Sequence, residues 1–160
     1  MESGANKSLE KRLGYLFTGE FFAVAVFSYI YFDNFSLNQS YSLIYALFTL
    51  NFILLQGSFY WFIKWKRLKS KRTVLPNLYK PLTILKKVNF VLLCMMPLIV
   101  IMDILIMKRM SFIFLVAVFV YIFAIIEYIN YFHIQLTNYK NEKGKKASIV
   151  KEIENSKRKS

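Results

Sequence analysis

The 160-residue chain is 56% hydrophobic and 18% aromatic, and its formal net charge is +13. Globular domains average about 45–50% apolar residues, so this excess, gathered in blocks, points away from a soluble single domain. A basic balance usually suggests nucleic acid. Here the charges flank apolar spans, so anionic lipid headgroups are the nearer partner and no nucleic acid is expected. One cysteine, Cys94, excludes an internal disulfide, a CxxC pair and a cysteine-based zinc site.

Residues 1–12 are polar, with Lys7, Lys11 and Arg12, and are expected as a short tail. The apolar run that follows exceeds the usual signal-peptide core of about 7–15 residues, and no small-x-small cleavage site follows it. It is expected as an uncleaved first transmembrane helix. About 20 apolar residues suffice to cross the hydrocarbon core. Four segments meet that length, approximately 13–32, 41–63, 88–107 and 111–133. Each is apolar nearly all round, which demands a covering that so short a chain cannot supply from itself. The expected fold is therefore all-α, an integral membrane four-helix bundle of two hairpins.

Between the hairpins lies a basic loop, 64–87, with nine Lys and Arg and no acid. Its first part holds Lys64, Lys66, Arg67, Lys69, Lys71 and Arg72, the expected contacts for anionic lipid or a partner, with topology alone as the simpler reading. Its second part, 73–87, mixes apolar residues with Pro76 and Pro81. That mixture suggests a segment lying in the headgroup layer rather than one continuous helix. With the N-terminus inside, segments 1–12, 64–87 and 134–160 carry 3, 9 and 8 of the 22 basic residues, and only Lys108 and Arg109 fall outside. The positive-inside rule then predicts two cytoplasmic termini. Two sequons, at Asn34 and Asn38, read as chance in a polar turn. Pro97 sits in the third span, where neighbouring helices accommodate the lost backbone bond. In the basic tail 134–160, residues 147–154 have the pattern of two amphipathic turns, too short to be stable alone.

Functional chemistry is expected among the intramembrane polar residues: Glu20, Asn51, Gln56, Glu127 and Asn130. At 1.5 Å per residue, Glu20, Gln56 and Glu127 fall about 3–8 Å to the inner side of their helix centres, so they share one layer. Glu127, Asn130 and Tyr131 share one helix face. One reading is interhelical hydrogen bonding. The sharper one is a proton or cation site with Glu20 and Glu127 as carboxylates. Asp103 is expected to pair with Lys108 and Arg109 at the outer interface. His133 is expected at headgroup level, with no metal site, since no second histidine exists. No GxSxG, HExxH or phosphate loop occurs, so neither enzymatic activity nor a cofactor is expected.

Two functions follow. The first is a non-enzymatic membrane protein acting through contacts, as an accessory, stress-related or immunity-type protein, alone or with a membrane-protein partner. The second is a small oligomeric proton- or cation-coupled carrier. In helix count and in a glutamate on helix one, Glu20, the chain resembles small multidrug transporters, although it is longer and has a long central loop. Phe-, Ile-, Lys- and Asn-rich usage suggests a bacterial plasma membrane.

Overall fold

The computed structural model describes residues 2–33, 40–70, 78–107, 112–134 and 146–157. Over these the chain is all-helical: α1 (Glu2–Asp33), α2 (Tyr41–Ser70), α3 (Tyr79–Met107), α4 (Phe112–Phe132) and α5 (Ser148–Lys157). The first four are long and apolar enough to cross a membrane. A single antiparallel bridge, Ile134 to Lys146, joins the residues that flank the segment before α5.

Helix α2 is the central element. It packs on α1, α3 and α4, and half of its apolar span is buried, against 6% of that of α1. Leu43, Ala46, Leu50, Ile53 and Tyr60 follow helical spacing along its buried side. Ala117, Val120, Ala124, Tyr128 and Tyr131 do the same on α4. Ala46, Ala117 and Ala124 are fully buried, and small residues of this kind let helix backbones approach closely. Phe17–Phe62 with Ser28–Asn51 sets α1 antiparallel to α2, and Glu20–Tyr131 with Phe27–Phe123 sets it antiparallel to α4.

Three helix boundaries differ from expectation. The leading polar stretch is helical from Glu2 rather than a tail. Helix α2 runs through Lys64 to Ser70, so the start of the expected loop is helix. Lys, Arg and Leu are good helix formers, and Arg67 and Lys69 in the last turn oppose the helix dipole favourably. Helix α3 begins at Tyr79, not 88. Pro81 lies in its first turn, where a missing N–H removes no intrahelical bond, so it does not oppose the helix. Leu78 and Leu82 are buried, and the expected headgroup-layer segment is, from Tyr79 on, the start of α3. Pro76 and both sequon asparagines lie outside the described residues.

Pro97 stands inside α3, where it cannot donate to the carbonyl of Leu93. The hydroxyl of Tyr121 on α4 donates to that carbonyl at 3.0 Å. On the other side, the Tyr45 hydroxyl of α2 donates to the carbonyl of Leu92 at 3.0 Å. Two tyrosines thus hold α3 at the level where its ladder is interrupted. Tyr121→Phe is expected to lower stability by about 1 kcal/mol. In a Pro97→Ala background, where the residue 97 N–H serves Leu93 itself, the same change is expected to cost less. Denaturation midpoints of the four proteins of that cycle check this.

Candidate functional site

Glu20 of α1 meets α2 at Gly57 and α4 at Tyr131. A Cβ built on Gly57 falls 2.5 Å from Tyr131 Cζ and 2.7 Å from Glu20 Oε2. Only a residue without a side chain admits both groups here. Trp61, one helical turn beyond Gly57, turns its indole toward the same carboxylate. Neither Trp61 Nε1 nor Glu20 Oε2 completes a hydrogen bond among the described residues. Beside them is a cavity of about 40 Å³, bordered by Glu20, Trp61, Asn130 and Tyr131 and closed by Ser148 and Ile149 of α5.

The five predicted polar residues do not form one cluster. Gln56 pairs instead with Asn89 of α3, amide to amide, at 3.0 and 2.7 Å. Asn51 donates to Ser28 of α1 at 3.3 Å. Asn130 donates to Glu127 within α4 at 3.4 Å. Glu127 is half-buried and near Glu20, but it does not border the cavity. Sequence reasoning passed over Asn89 and Gly57. A glycine inside an apolar helix is a sign of close approach, and Gly57 carried that sign.

At the α5 end, the basic residues of α2 are largely engaged within the chain. Lys64 lies over the rings of Tyr60 and Trp61, at 5.3 and 5.5 Å from their centroids. Lys69 lies over Trp65 at 5.0 Å, and Arg67 pairs with Glu152 of α5 at 2.6 Å. Lys66 is exposed, and Lys71 and Arg72 lie outside the described residues. Helix α5 buries Ile149, and the N–H of Ala147, just before it, donates to the carbonyl of His133 at 3.1 Å. The His133 ring packs edge-on to Tyr128. Among the described residues no three of His, Cys, Asp and Glu converge as a metal site.

At the opposite end Asp103 of α3 is buried against the start of α2. Its Oδ2 accepts from the Ser40 hydroxyl at 2.8 Å, from the Ser42 N–H at 3.1 Å and from the Ser42 hydroxyl. A carboxylate here also meets the positive end of the α2 dipole. Its expected partners Lys108 and Arg109 lie outside the described residues.

No protein-family model, curated protein or solved structure matches the chain.

Gly57→Ala is expected to destabilise by roughly 1–3 kcal/mol, since Tyr131 or Glu20 has to move. Thermal unfolding in detergent reads this directly. Asn89→Leu strands the buried Gln56 amide and is expected to cost about 1–3 kcal/mol, whereas the Gln56→Leu, Asn89→Leu double variant is expected to approach wild type.

Proposed function

We propose that the chain is a small multi-pass protein of the cell membrane, both termini cytoplasmic, that acts without catalysis through contacts at its basic inner end. The observation carrying this reading is the charge distribution: 20 of 22 basic residues fall on one side of the four spans. That side is also where α5 packs and where Lys66 is exposed. Anionic headgroups are the proposed partner, each juxtamembrane charge contributing about 1 kcal/mol. A bacterial plasma membrane is the proposed location, and a further membrane protein or a second copy fits the same contact surface.

A second reading has a specific observation in its favour. The Glu20 carboxylate borders a small cavity between the helices, with one oxygen buried and unpartnered among the described residues. Intramembrane carboxylates are costly and commonly mark ion or proton pathways. The alternative function is therefore a proton- or cation-coupled carrier centred on Glu20, with Glu127 as its neighbour.

Replacing Lys66, Lys69, Lys71 and Arg72 by Gln tests the contact reading. Affinity for vesicles' anionic lipid, read by lipid co-purification from mixed bilayers, is expected to fall about fivefold per charge removed. Unchanged lipid retention in a folded variant removes headgroups as the partner. A lone thiol at either terminus, in a Cys94→Ser background, is expected to label only from the cytoplasmic side.

A further inference from the structure

Two groups at the Glu20 cavity lack opposite things. Glu20 Oε2 has no donor and Trp61 Nε1 has no acceptor among the described residues. Trp61 and Tyr131 are the hydrogen-bonding side chains turned toward the carboxylate, and the indole completes no bond to it, the circumstance in which an intervening water is to be sought. A water molecule answers both, accepting from the indole N–H and donating to the carboxylate oxygen. One water needs about 10–15 Å³ of such space and two to four polar partners. The cavity offers about 40 Å³, with the Tyr131 hydroxyl, Asn130 and Ser148 as additional polar groups. A bare metal cation suits it less, because the indole presents a positive hydrogen and a single carboxylate borders the space.

Three walls of this cavity belong to α1, α2 and α4, and the fourth is α5. Ten residues are too few for a helix to persist in water by itself, so α5 depends on its docking. That docking rests on Ile149, which is 2% exposed, on Ile153 packed against the core, and on the Arg67–Glu152 pair. Glu152 also faces Tyr60 and Lys64 of α2. A short helix whose order depends on docking opens toward the low-stability end of a protein's range.

We propose that Glu20 is a proton site served by internal water, and that α5 is the removable wall between that water and the inner aqueous phase. When α5 lifts, a hydronium ion gives one proton to the carboxylate. An O–H bond forms at Glu20 as one O–H bond of the hydronium breaks, leaving water behind. When α5 redocks, the proton is held. The titratable groups facing Glu20 are Tyr131 and Glu127, both on α4, while α5 contributes only Ser148 and Ile149 to the wall. This deepens the carrier reading and rests on its carboxylate site, though not on transport itself.

The test is infrared spectroscopy of the full chain in lipid, with the Glu20 carboxyl band identified by subtraction of Glu20→Gln during acid titration. On transfer to D₂O the band is expected to shift, and about 30-fold faster in Ile149→Ala, as follows from a large-to-small change at a buried contact. Glu152→Arg is expected to speed exchange as well, and the Arg67→Glu, Glu152→Arg exchange of charges to bring it back to within about twofold of wild type. Equal rates in wild type, Ile149→Ala and Glu152→Arg overturn the α5 wall. Absence of a Glu20-dependent acid band at every pH where the protein stays folded overturns the proton site. Proton flux into vesicles is read in parallel. Exchange that depends on α5 without any flux removes the carrier reading and leaves the site standing; flux with α5-independent exchange keeps the carrier reading and removes the α5 wall.

Discussion

The closeness of α1 and α4 to α2 at Gly57 is the constraint on which the rest of the bundle depends. A hydrogen in place of a side chain lets the Tyr131 ring and the Glu20 carboxylate lie against the α2 backbone. Beside that point a small cavity lies next to Trp61, and α5 borders it. Any larger residue at position 57 displaces the Tyr131 ring or the Glu20 carboxylate. Packing and site geometry are therefore one problem here, solved at one residue.

Between apolar helices in lipid, burial does little to choose a register, because lipid tails are as apolar as leucine. Small residues and hydrogen bonds choose it instead. Asn51 with Ser28 sets α2 against α1, and Gln56 with Asn89 sets α2 against α3. Asp103 with Ser40 and Ser42 repeats the α2–α3 setting far along the same seam. Tyr121 with the Leu93 carbonyl sets α4 against α3 at the proline. Such bonds are individually modest, about 0.6 kcal/mol on average, but each is satisfied in a single register.

The four long helices were legible because hydropathy over some 20 residues is a strong signal. Their ends were less so. Hydropathy falls at Lys64 while helix propensity does not, and α2 continues to Ser70. The same reasoning hid the start of α3, where Pro81 reads as a breaker until its place in the first turn is known. For the site, helical rise put Glu20, Gln56 and Glu127 at one depth, but rise carries no azimuth. Gln56 and Gly57 are neighbours in sequence and about 100° apart around the helix. One therefore faces α3 while the other faces α1 and α4. The wall supplied by α5 was out of reach, since nothing in an amphipathic stretch says which surface it will cover.

The bridge between Ile134 and Lys146, with the His133–Ala147 bond beside it, anchors the chain immediately ahead of α5. A helix leashed so near its own berth experiences an effective concentration in the millimolar range for a short flexible tether. Its return is a unimolecular event, indifferent to how much protein the membrane holds. A separate peptide of the same sequence at micromolar levels competes at a disadvantage of roughly a thousandfold. Whatever displaces α5 for long has to act on the leash or bind the exposed berth far more tightly than α5 does.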